Sequence, residues 1–204
     1  MMSPLKTALA GVGLLLSVLA HAGDWAPGST DWHQLPEAKV SKAGRYLTPQ
    51  QAYELKQGNP KTVALFDIRT RAEAMYVGMA EAADALVPFV EHQELMTDWD
   101  DKRAMYKLEP NQDFVAEIAR RLQAMALDKN ATVILLCRSG DRSAKAADRL
   151  QAEGYASVYS VAEGFEGDKA STGPGKGQRT VNGWKNAGLP WSYTLDKRRM
   201  YFPR

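Results

Sequence analysis

Two uninterrupted apolar runs constrain this chain more than anything else in it: Thr62 to Asp67 (Thr-Val-Ala-Leu-Phe-Asp) and Ala131 to Leu136 (Ala-Thr-Val-Ile-Leu-Leu). Neither alternates apolar with polar residues, so each needs cover on both faces, the condition of a strand inside a parallel sheet. Helix-like stretches lie around them. Thr48-Pro49-Gln50-Gln51 joins a capping threonine, a proline suited to the first helical position and a Gln that completes a capping box; Gly58-Asn59-Pro60 ends that helix. Arg71 to Tyr76 predicts a brief helix, Ala85 to Phe89 a short strand, and Asp113 to Ala126 a helix with Phe114, Val115, Ile118, Leu122 and Met125 near helical spacing. Ser143 to Glu153 is alanine-rich and predicts a helix stopped at Gly154; Val158 to Val161 is a further strand, and Thr180 to Ala187 a last helix. Strands alternating with helices predict an α/β fold with a mainly parallel central sheet flanked by helices. Glu91 to Gln112, with Trp99 and Tyr106, has no assignable period, and Gly167 to Gln178 reads as a flexible loop.

The ends carry their own signals. Lys6, the apolar run from Thr7 to Ala20 and the small-x-small Ala20-His21-Ala22 predict a cleaved signal peptide over residues 1–22. The run is short of the ~20 apolar residues of a spanning helix. The expectation is therefore an exported protein, placed in a bacterial periplasm, with no stable membrane insertion after cleavage. Residues 23–46 read as an irregular lead-in, 47–193 as one domain, and 194–204 as a solvated basic tail with Lys197, Arg198, Arg199 and Arg204. A balance of 26 Lys+Arg against 24 Asp+Glu, net +2, argues against nucleic acid as a partner. With a single cysteine no intramolecular disulfide can form, and in an oxidising compartment a lone thiol is either buried or kept for its chemistry.

Cys137 ends the second apolar run, at the carboxyl end of a strand, where ligands gather in parallel sheets. Arg138-Ser139-Gly140-Asp141-Arg142 cannot continue a buried strand and leads into the helix expected near Ser143. Inward-pointing loop amides, the positive end of that helix and the charges of Arg138 and Arg142 all favour a thiolate. Either arginine has the alternative of a structural ion pair.

The segment Cys137-Arg138-Ser139-Gly140-Asp141-Arg142-Ser143 resembles the active-site loop of rhodanese-family sulfurtransferases. Asp67-Ile68-Arg69 with Glu73 looks like that family's Asp-x-Arg segment. Glu163-Gly164-Phe165, then Trp184-Lys185-Asn186-Ala187-Gly188-Leu189-Pro190, resemble its glycine turn and closing motif. The likeness runs from about Leu47 to Trp191. Gly78-Met79-Ala80-Glu81-Ala82-Ala83 lacks the family's histidine, and the Glu91–Gln112 and Gly167–Gln178 segments exceed a minimal domain.

The resemblance implies transfer of sulfane sulfur from a small anionic donor such as thiosulfate to a thiol or cyanide acceptor, or to a partner protein, through a Cys137 persulfide and without metal or organic cofactor. Arg138, Ser139, Gly140, Asp141, Arg142, Ser143 and Arg69 are then the candidate substrate-binding residues, with Asp67 and Glu73 structural beside them. For Arg142 a pairing with Asp67 or Glu73 is the favoured reading; Arg69 either faces the pocket or caps a strand end; Asp141 is expected exposed at the loop tip. His33 and His92 receive no role, and Trp184 is read as packing. Two other classes stay open. A cysteine phosphatase or arsenate reductase has a Cys-x5-Arg loop, and Arg142 comes one residue early for that. A sulfur carrier or interaction module would keep the fold without fast turnover.

Overall fold

The computed structural model describes Trp32 and residues 35–203. The expected signal segment 1–22, residues 23–31 and 34 of the lead-in, His33 and Arg204 lie outside these residues.

Five parallel strands form the central sheet: β1 (Tyr46–Leu47), β2 (Val63–Asp67), β4 (Ala85–Leu86), β9 (Thr132–Leu136) and β10 (Ser157–Val161), in the order β1-β10-β9-β2-β4. The two apolar runs pair with each other in the middle, Val63 opposite Thr132 through Asp67 opposite Leu136. Side chains on successive residues of a strand point to opposite faces, and the two sides become two cores. Ala64, Phe66, Val133, Leu135 and Cys137 pack with α3 (Phe114–Ala124) and α4 (Asp141–Ala152). Val63, Leu65, Ile134 and Leu136 pack with Ala52 of α1 (Pro49–Gly58), Ala74 of α2 (Arg71–Val77), Phe165 and Trp184. Both α1 and α2 open with complete capping boxes, Thr48 with Gln51 and Thr70 with Glu73. Among the described residues no helix is long and apolar enough to cross a membrane.

Four expectations are corrected. Thr180–Ala187 is not a helix but a chain of turns, because Gly183 sits at φ +98° with its Cα packed on the Gly167 backbone, a place no side chain could occupy. The α4 helix begins at Asp141, two residues before the expected start. The C-terminal stretch is docked rather than solvated: Arg121 donates to the carbonyls of Arg198 and Met200, Arg199 to those of Glu81 and Ala83, and Tyr201 is 5% exposed. Gly167–Gln178 is pinned rather than loose, by bridges Lys169–Arg179 and Ala170–Lys176 and by the ion pair of Lys39 with Asp168.

Most of the unassigned Glu91–Gln112 stretch belongs to two small antiparallel ribbons. One joins β5 (Val90–His92) to β8 (Leu108–Pro110); the other joins β6 (Trp99–Asp100) to β7 (Met105–Tyr106), with Trp99 and Tyr106 edge to face at its base. A last antiparallel pair, β3 (Met79–Ala80) with β11 (Trp191–Ser192), ties the C-terminal region to the body.

Candidate active site

The β9 strand delivers Cys137 to the end of the sheet, and five bonds lock the loop that follows. The Cys137 carbonyl accepts Phe165 N–H at 2.7 Å, and the Arg138 carbonyl accepts the N–H groups of Glu166 and Gly167. One turn further on, Gly164 O accepts Trp184 N–H and Phe165 O accepts Lys185 N–H. The glycine turn and the closing motif are therefore clamps on the cysteine loop. Two glycines make the clamp possible. A Cβ on Gly140 (φ +98°) would lie 2.0 Å from Ala162 O, and one on Gly164 (φ +68°) would lie 2.4 Å from the Arg138 backbone.

Inside the loop, Gly140 N–H donates to Cys137 Sγ at 3.1 Å, and Ser143 Oγ lies 3.4 Å from the sulfur. Ser143 is itself fixed, donating to Gly140 O at 3.1 Å and meeting Ser160 Oγ at 2.8 Å. Of the loop amides, Gly140 is the one bonded to the sulfur. Cys137 is 0% exposed, and Asp141 Oδ1 approaches its sulfur to 3.9 Å. Asp141 is thus half-buried in the first turn of α4, not exposed at a loop tip. Ser139 is also buried, its hydroxyl 3.5 Å from Asp141 Oδ1.

Arg142 pairs with Glu73, two hydrogen bonds of 2.7 and 2.6 Å that span from α4 to α2. Burial alone would raise the Glu73 carboxyl, but the Arg142 hydrogen bonds and charge outweigh it, with the Thr70 N–H adding to them, and hold it down at about 2. The Arg142 guanidinium, which burial would loosen, is pushed up by the same partner. Arg69, a candidate substrate ligand, does not reach the pocket. It is 0% exposed, bonded to Asp67 through Nε (3.0 Å) and Nη2 (2.6 Å) and to Gly78 O at 2.6 Å, with its guanidinium 3.9 Å above the Phe165 ring. The two charges of this buried pair neutralise each other across the end of β2, while Arg69 Nη1 is left without a hydrogen-bond partner.

Outside the loop a cleft of about 320 Å³ opens between α4 and the ribbons. Arg138, Asp141, Arg142 and Glu73 line one side; Phe89, Val90, Met105, Leu108, His92 and Arg103 form the other, and Lys145 stands at the edge. The ribbon residues escaped sequence reasoning, since no local pattern connects residues 90–108 with 138. Lys145 had a signal: it follows Asp141 by four residues and so shares its helix face. Arg179, from the glycine-rich segment, donates to Gly167 O at 2.5 Å, and its guanidinium is pulled down by burial and by the nearby charge of Arg138.

A nucleophile at a strand end and a glycine-permitted loop that runs into a helix define a cysteine-loop protein of the α/β class. Residues 48–171 match the rhodanese-like domain family, to which this chain belongs. Uncharacterized proteins of Rickettsia rickettsii and Rickettsia conorii are 28% identical over 143 residues, 70% of this chain and 93% of theirs. The crystal structure of an M. tuberculosis protein superposes with a TM-score of 0.53 at 30% identity, covering 72% of this chain and 96% of that one. The polysulfide-sulfur transferase of Wolinella succinogenes is more distant, at a TM-score of 0.40 and 20% identity over 76% of this chain and 81% of its own.

Proposed function

We propose that the protein is a sulfurtransferase that carries sulfane sulfur on Cys137. The observation that carries this reading is Cys137 Sγ, at the end of β9, receiving the Gly140 N–H inside a loop whose outer side chains face a cationic cleft. The Cys137 thiolate attacks the outer sulfur of a thiosulfate-type dianion; the donor's S–S bond breaks with its electron pair leaving on sulfite. The persulfide is then discharged by a thiolate or cyanide that attacks its outer sulfur, and the electron pair of the Cys137 S–S bond returns to Cys137. Arg138, which forms no ion pair among the described residues, supplies positive charge for the donor. Arg142 is committed to Glu73 and so is not free to clamp a phosphoryl group, which supports sulfur over phosphate chemistry.

Complete burial of Cys137 favours one alternative, a carrier that loads and unloads slowly with a partner protein. For residues 1–22 we infer a leader peptide and hence export, a reading that N-terminal sequencing of the mature protein tests. The reaction is tested by intact mass before and after thiosulfate. The expected result is a gain of about 32 Da, one sulfur, removed by cyanide and absent from Cys137→Ser. No gain with thiosulfate or polysulfide would refute the reading, and steady-state turnover separates enzyme from carrier.

A further inference from the structure

The cleft is larger and more apolar than an inorganic donor requires. At the ~30 Å³ that one water occupies in the liquid, five-atom thiosulfate fills roughly 150 Å³ at most. The cleft holds about 320 Å³, within the ~300–1,000 Å³ of sites that enclose organic ligands. Phe89, Val90, Met105 and Leu108 form its apolar wall, and a bare oxyanion gains nothing from hydrocarbon.

Two observations ask for polar groups on the same ligand. Arg138 Nε and His92 Nδ1, both on residues that line the cleft, are buried and have no hydrogen-bond partner. Buried donors and acceptors are nearly always satisfied, so two orphans on residues of one cleft mark the place of a ligand's own polar atoms. The charges agree. Arg142 is neutralised by Glu73, and Arg103 approaches Asp100 at 3.6 Å, but Arg138 and Lys145 form no ion pair among the described residues. Lys145 stands one helical turn, about 6 Å, beyond Asp141, and Asp141 touches the Cys137 sulfur.

We propose that this cleft takes an organic thiol bearing a carboxylate as the sulfur acceptor. The inference rests on the persulfide reading above. The thiolate enters at the Asp141 end and attacks the outer sulfur of the Cys137 persulfide, forming R–S–SH and regenerating the Cys137 thiolate. The carbon chain lies along Phe89, Val90, Met105 and Leu108, and the carboxylate meets Arg138 and Lys145. The ribbons of residues 90–110 thus set acceptor specificity.

The test loads the full-length protein with thiosulfate, removes excess donor, and follows discharge by quenched mass spectrometry against three probes. Mercaptohexanoate carries both features, mercaptohexanol keeps the chain without the charge, and mercaptopropionate keeps the charge with little chain. Mercaptohexanoate should discharge the persulfide with saturation and with kcat/KM at least ~10-fold above either control. Lys145→Gln, at an exposed position, should shrink its advantage over mercaptohexanol to within about threefold. A loaded protein that discharges to all three thiols alike overturns this inference alone, with cyanide discharge showing that the persulfide reading stands. A protein that accepts no sulfur overturns both.

Discussion

Glu73→Gln isolates the link between α2 and the cysteine loop. In the native protein one carboxylate serves two ends, accepting Thr70 N–H at 2.9 Å and both Arg142 nitrogens. A fall of the carboxyl from 4.5 to about 2, at ~1.4 kcal/mol for each pH unit, is worth about 3 kcal/mol. The side chains of Glu73 and Arg142 are only 17% and 12% exposed, so solvent screening removes little of it. Because the folded carboxyl titrates below the unfolded one, its contribution is complete above about pH 4.5 and drains away as pH falls toward 2. Glutamine keeps the cap but leaves the Arg142 charge buried without a counter-ion, at a cost of roughly 3–5 kcal/mol near neutral pH. Urea denaturation of wild type and variant from pH 7 to pH 2.5 reads the difference directly, since every other carboxylate cancels. The gap should be largest at neutral pH and shrink by about 3 kcal/mol at the acid end. A gap that stays constant across this range would refute the assignment of the ion pair as the source of the stability.

Further outcomes are expected from the loop and its clamps. Gly140→Ala adds a Cβ 2.0 Å from Ala162 O at a positive φ, so the amide must leave the sulfur, and single-turnover sulfur uptake should fall ~100-fold; uptake at the wild-type rate would show that the Gly140 amide is dispensable. Asp141→Asn removes a carboxylate 3.9 Å from Sγ, and thiosulfate uptake should rise several-fold at low salt, with a smaller gain as ionic strength grows. Trp184→Ala empties a fully buried site that packs edge to face on Tyr53 and donates to Pro190 O; denaturant titration should show a loss of about 3–5 kcal/mol.

What the sequence showed follows from how local each determinant is. The strands around Leu65 and Ile134 and the Thr48 capping box are written in consecutive residues, and the structure places them where the pattern does. The pairing of Arg142 with a carboxylate was foreseeable from charge; that the partner is Glu73, while Asp67 is taken by Arg69, depends on the packing of α2 against the loop. The ribbons were not legible because strands of two or three residues leave no period to detect. For the same reason His92, far from Cys137 in the chain, gave no sign that it would line the cleft. The expected helix at Thr180 failed because composition says nothing about Gly183 meeting the backbone of Gly167.

The clamps on the cysteine loop also decide when, during synthesis, the site can exist. Cys137 and Arg138 are held by residues 165–167, which are held in turn by Trp184 and Lys185, and Trp184 closes on Pro190. A chain emerging from its N-terminus therefore presents Cys137 long before anything can shape the loop around it. The closing bonds come from residues 184–190, beyond the family match, which ends at residue 171. A chain cut between residues 171 and 184 would keep Cys137 but lose the bonds that hold Gly164 and Phe165 against its loop.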